Sequence, residues 1–199
     1  MLISISGTIG VGKSTLCQKL SNDTGCLVSH EPVANNPYLT DFYSDPQQWG
    51  FHNQVFILSL LYSYHRDFVG NPSSRPLLLD RSFYEGKIFV EVLKGLGLFS
   101  QRDYETYTTL YNSLIDSTAK LDLIVYLKVS PEEALDRIHR RNRESEKAIT
   151  LDYLKRLDDS YEQWIEDMSK TTPIMNAGWS DFGSSESVQG KLAGLINEA

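Results

Sequence analysis

At 199 residues, 41% of them hydrophobic, the chain is long enough to bury the core of one α/β domain without disulfide or metal staples. A formal charge of −7 excludes a surface that coats nucleic acid, because phosphate-backbone binding needs a basic face. No apolar run reaches the ~18 residues of a membrane span and no leader precedes the first strand, so the expectation is a soluble, cytoplasmic protein with no nucleic-acid or membrane partner.

Apolar runs suited to buried strands recur at 2–6 (LISIS), 26–29 (CLVS), 76–80 (PLLLD), 121–129 (LDLIVYLKV) and 173–176 (PIMN). Helical stretches fall between them at about 13–21, 46–68, 82–94, 101–118, 131–141 and 150–170, with a weaker one at 187–197. Ser82 with Glu85, and Ser130 with Glu133 after Pro131, make Ser-x-x-Glu capping boxes. The alternation predicts an α/β fold, a five-stranded parallel sheet flanked by helices, in a single domain over 1–199. The stretch 178–187 (GWSDFGSSES) reads as a loop before the last helix. Cys17 and Cys26 match no metal spacing and read as buried free thiols.

The segment GTIGVGKS (7–14) fits G-x-x-x-x-G-K-[S/T] and lies between an apolar strand and a helix, the context in which that pattern is a phosphate-binding loop. Gly7, Gly10 and Gly12 let backbone N–H groups turn inward, Lys13 reaches the β- and γ-oxygens, and the Ser14 hydroxyl can ligate Mg²⁺. Thr8 and Thr15 complete the expected ATP-binding set. The run PLLLD ends in Asp80, a second acid for the metal.

A phosphate-binding loop licenses nucleotide binding, not a reaction. The chain holds no Asn-Lys-x-Asp segment to read guanine, whereas RIHRRNR (137–143) carries a cluster of arginines. At helical spacing Arg137, Arg140 and Arg141 share a face and Arg143 extends it, which suits an arginine-rich lid, about 137–147, over a transferring phosphoryl group.

With SHEPVANNPYLTDFY, QQWGFHNQ, LLLDRSFYEG and RIHRRNRESE in order, the chain resembles the deoxyribonucleoside kinase family from about residue 3 to about 182. The resemblance implies a P-loop kinase fold and transfer of the γ-phosphoryl of ATP, with Mg²⁺, to the 5′-OH of a deoxyribonucleoside. It implies Glu31 as general base and Arg81 as its neighbour at the same hydroxyl, with Lys13, Arg141 and Arg143 on the phosphoryl group and Arg137 on ATP. It further implies Gln54 as the base reader, Tyr43 and Glu146 on the sugar 3′-OH, and a homodimer.

The residues agree with part of this independently. Glu31 ends the second strand before Pro32, at the carboxyl edge where α/β sheets bind ligands. Gln54 interrupts the apolar stripe Ile57, Leu58, Leu61 with an amide that can pair two-pronged with a base.

One departure bears on specificity. Family members that take deoxycytidine or purines carry an arginine and an aspartate where this chain has Leu61 and Gly86. A neutral wall there favours thymidine or pyrimidines generally. The alternatives are a nucleoside monophosphate kinase of the thymidylate-kinase type and a non-catalytic nucleotide-binding switch. A monophosphate acceptor would want fixed arginines near Glu31 and would be repelled by that carboxylate.

Overall fold

The computed structural model describes residues 1–30, 36–70, 75–180 and 186–197. Strand β1 (Leu2–Ser6) is buried along its whole length and occupies the centre of the sheet. Helix α1 (Lys13–Thr24) follows, then β2 (Leu27–Ser29), a short α2 (Leu39–Ser44), the long α3 (Pro46–Gly70) and β3 (Leu77–Asp80). A single 3₁₀ turn, Phe83–Glu85, leads into α4 (Gly86–Gly95), followed by α5 (Gln101–Ile115), β4 (Leu123–Lys128) and α6 (Pro131–Arg141). A second 3₁₀ turn, Glu144–Glu146, precedes α7 (Leu151–Met168), β5 (Ile174–Gly178) and α8 (Glu186–Asn197).

The five strands run parallel in the order β2-β3-β1-β4-β5. The chain leaves β1 to one side for β2 and β3, then crosses to the other for β4 and β5. That reversal opens a crevice at the carboxyl ends of the central strands, where open α/β sheets bind ligands.

Local chemistry sets several boundaries. Ser130 accepts a hydrogen bond from the Glu133 N–H and Pro131 stands at the first position of α6, while Asn142 closes that helix in the left-handed region at φ 49°. Thr150 caps α7 by accepting from the Tyr153 N–H. The Glu133 carboxylate does not complete the reciprocal half of the expected capping box, because it turns forward to Arg137 at 2.6 Å.

Two apolar clusters form. One lies around the sheet and includes both buried cysteines and Trp179, which places the start of the expected 178–187 loop inside the core. Residues 181–185 of that loop lie outside the described residues. The other joins α3, α4 and α5 through Leu58, Leu61, Phe83 and Tyr107, with Phe83 stacked on Tyr111 at 4.8 Å between ring centroids. No helix among the described residues is long and apolar enough to cross a membrane.

Candidate active site

The phosphate loop is shaped by what surrounds it. Gly7 and Gly10 take φ values of 140° and 83°, and a Cβ on them would stand 2.6 Å from the Leu127 carbonyl oxygen and 2.5 Å from that of Ala134. The backbone therefore passes too close to β4 and α6 for any side chain. The Lys13 ammonium donates to the carbonyls of Gly7 at 2.8 Å and Thr8 at 3.0 Å, so it is held over the loop that it serves.

A cavity of about 440 Å³ opens from this loop. Gly10, Gly12, Lys13, Ser14 and Thr15 line its phosphate end, and Asp80 and Arg81 reach it from the carboxyl end of β3. Arg81 adopts a left-handed backbone at φ 75°, and its guanidinium carbon sits 3.7 Å above the centroid of the Phe89 ring. Such a conformation costs a non-glycine residue about 1 kcal/mol or more, and it turns the side chain from the sheet into the cavity. Tyr43, Gln54, Arg141, Arg143 and Glu146 also line the cavity, so the structure brings together most of the residues expected at the site.

Gln54 is a wall residue and not a surface glutamine. It is 2% exposed, and its Oε1 is buried with no hydrogen-bond partner among the described residues. Its neighbour Asn53, also buried and also in the wall, was not expected from sequence; nor were Phe42, Ile57 and Tyr153. Burial pushes the Tyr153 hydroxyl up, further from ionisation.

The arginine cluster divides. Arg141 and Arg143 face the cavity and both bond the Glu146 carboxylate. Arg140 is exposed and pairs with Asp136 at 2.6 Å. Arg137, expected on ATP, is instead 8% exposed and absent from the cavity wall. Its Nη1 donates to the Val11 carbonyl at 2.7 Å, and its Nη2 to the carbonyls of Trp179 at 2.6 Å and Ser180 at 2.7 Å. It braces the phosphate loop from behind.

Two further expectations are corrected. Leu61 is 1% exposed within the α3–α4–α5 cluster, and neither it nor Gly86 lines the cavity. A Cβ on Gly86 would stand 2.8 Å from the Tyr107 hydroxyl, so a tyrosine fills the space a larger residue would need. Glu31, the expected base, lies outside the described residues.

Behind the wall, the fully buried Glu85 carboxylate gathers donors from three parts of the chain. Its Oε1 accepts from the Ser82 N–H at 2.8 Å and from the hydroxyls of Ser6 at 2.9 Å and Ser4 at 3.1 Å, and its Oε2 accepts from Tyr161 at 2.9 Å. This ties Ser6, the residue before the phosphate loop, to Ser82, the residue after Arg81.

No group of three or more His, Cys, Asp or Glu among the described residues forms a protein cage for a metal. The Ser14 hydroxyl and the Asp80 carboxylate, both in the wall, are instead the sparse hard-oxygen set that suits Mg²⁺ shared with phosphates.

The family model described as deoxynucleoside kinase matches residues 3–199. A deoxyadenosine kinase of Dictyostelium discoideum is 38% identical over 180 residues, covering 90% of this chain and 73% of that one. A deoxyadenosine/deoxycytidine kinase of Bacillus subtilis is 31% identical over 206 residues, covering 99% and 94%. Among solved structures, deoxyadenosine kinase from M. mycoides with bound dATP superposes with a TM-score of 0.84 at 29% identity, with complete coverage of both chains. The fold is that of the P-loop kinases.

Proposed function

We propose, for a chain that belongs to the deoxynucleoside kinase family, that it transfers the γ-phosphoryl of ATP to the 5′-hydroxyl of a purine 2′-deoxyribonucleoside. The observation that carries this reading is that one cavity joins the phosphate loop, through Lys13, Ser14 and Thr15, to Gln54, Tyr43 and Glu146. A phosphoryl donor and a nucleoside acceptor then meet end to end, as an in-line displacement requires.

In this reading the phosphate loop and Lys13 hold the β- and γ-phosphates, and Ser14 and Asp80 would hold Mg²⁺, which would offset phosphate charge. Glu31 takes the proton of the 5′-OH while that oxygen bonds to phosphorus and the bond to the ADP oxygen breaks. Arg81, fixed by its backbone and by Phe89, orients the hydroxyl. Arg141 and Arg143 stabilise the charge that spreads over the equatorial oxygens. Tyr43 and Glu146 take the sugar, and Gln54 takes the base.

The pyrimidine expectation is set aside. It rested on Leu61 and Gly86, which stand off the cavity, and the relatives are named for purine deoxynucleosides or for a purine together with deoxycytidine. The test is the rate of ADP release with ATP, Mg²⁺ and each of the four deoxynucleosides. A purine should lead by about tenfold or more over thymidine. Turnover of none of them would overturn the kinase reading, and thymidine as the best acceptor would restore the pyrimidine one.

A further inference from the structure

The buried amide next to the base reader is oriented by a relay whose first member has no choice of role. The Tyr38 backbone N–H can only donate, and it donates to Asn36 Oδ1 at 3.0 Å. That fixes the Asn36 amide, so its Nδ2 donates to Asn53 Oδ1 at 2.7 Å. The oxygen of Asn53 is thereby taken, and its Nδ2 remains as the group it can offer. Asn53 is 1% exposed, and both Asn36 and Asn53 line the cavity. An amide pinned in one orientation on a cavity wall can offer a ligand there its N–H and not its oxygen.

Beside it, Gln54 contributes a buried, unpartnered Oε1 and the donor of its own Nε2. We propose that Asn53 is a specificity-determining residue, and that it and Gln54 together present donor, acceptor and donor to the edge of an adenine. Adenine alone among the four bases carries an exocyclic amino donor flanked by a ring acceptor on each side, N1 and N7. Cytosine offers the amino group and one flanking acceptor, with a C–H on the other side. Guanine and thymine place a carbonyl oxygen where the amino group stands, against Gln54 Oε1. The order of acceptors is therefore 2′-deoxyadenosine, then 2′-deoxycytidine, then the other two. This deepens the kinase reading above and rests on it.

The wild-type protein supplies the first test, with kcat/KM measured for 2′-deoxyadenosine and its 1-deaza and 7-deaza analogues. Each analogue should lose about tenfold or more, because each lacks one acceptor. A wild type indifferent to either replacement overturns the proposal, since Gln54 alone engages only one ring nitrogen. Failure to phosphorylate any deoxynucleoside would instead remove the underlying function.

Asn53→Leu should lower kcat/KM for 2′-deoxyadenosine about 10- to 100-fold and for 2′-deoxycytidine far less, and should add no further loss with one of the deaza analogues. Equal loss on both nucleosides would make Asn53 structural and overturn the assignment. Asn36→Asp checks the relay without altering Asn53. The new carboxylate still accepts from Tyr38 but also accepts from Asn53, so the Asn53 amide turns and shows the cavity its oxygen. It should select against 2′-deoxyadenosine much as Asn53→Leu does, and an unchanged preference would show that the relay does not set the amide.

Discussion

The Arg141 Nε donates to Glu146 Oε2 at 2.6 Å, and the Arg143 Nη1 reaches Oε1 of the same carboxylate at 3.3 Å. The carboxylate is 5% exposed, whereas the Arg141 and Arg143 side chains are 35% and 51% exposed. The acid is rooted in the wall and the cations reach outward from it, so the groups proposed for the phosphoryl charge are tied to the group proposed for the sugar. Arg141→Ala should lower kcat by about 10²- to 10³-fold and also raise the nucleoside KM, because Glu146 loses the partner that orients it. The double variant with Glu146→Ala should lose less than the product of the single losses, and a steady-state double-mutant cycle reads this directly. Independent effects would uncouple the two residues.

Glu31→Gln tests the proposed base. The amide keeps the shape of the side chain and removes its basicity, so kcat should fall by roughly 10²- to 10⁴-fold while nucleoside affinity stays within a few-fold. Near-normal turnover by the folded variant would take Glu31 out of the reaction.

His65 gives the fold a dependence on pH. The Phe83 N–H donates to His65 Nε2 at 3.2 Å, so Nδ1 carries the proton and faces the Ala119 carbonyl at 3.1 Å. Burial lowers its pKa from 6.5 to about 4. As pH falls the unfolded chain takes up this proton first, so the contribution is complete above about pH 6.5 and is lost between about 6.5 and 4, up to roughly 3 kcal/mol. Denaturant unfolding at pH 7.5 and 5 should show the loss, and His65→Gln should flatten the difference. The same slope in the variant would assign it elsewhere.

Gly86 and Tyr107 predict a compensating pair. Gly86 has an ordinary helical backbone, so what opposes a side chain is contact: chiefly the Tyr107 hydroxyl, 2.8 Å from a Cβ there, and less closely Leu58 Cδ1 at 3.3 Å. Gly86→Ala should destabilise by about 1–3 kcal/mol through overpacking. Tyr107→Phe removes a buried hydroxyl that has no partner among the described residues and should cost little or nothing. Their combination should recover most of the loss, which thermal unfolding of the three variants will read.

What was legible in the sequence was local chemistry. The bounds of β1 and α6 follow from a short run of Leu and Ile alternating with serine before Gly7, and from Ser130 with Pro131. Helix α2 has only six residues, under two turns, and leaves no period to read. Spacing grouped Arg137 with Arg140 and Arg141 but carries no information on which side of α6 is buried. The carbonyls of Val11 and Trp179, far away in sequence, decide that. Leu61 and Gly86 fail for the same reason, since a position counted along a helix does not give its distance from a cavity. Asn53 was readable only as one more polar residue until Asn36 was seen to hold it.

The bond from Arg137 to Val11 spans 126 residues and its bond to Trp179 a further 42. A nascent chain synthesised as far as β4 therefore contains every residue of the phosphate loop but neither the guanidinium that braces it nor the carbonyls that hold that guanidinium. The brace on the phosphate loop is complete only when the chain has passed residue 180, although the motif itself is among the first segments made.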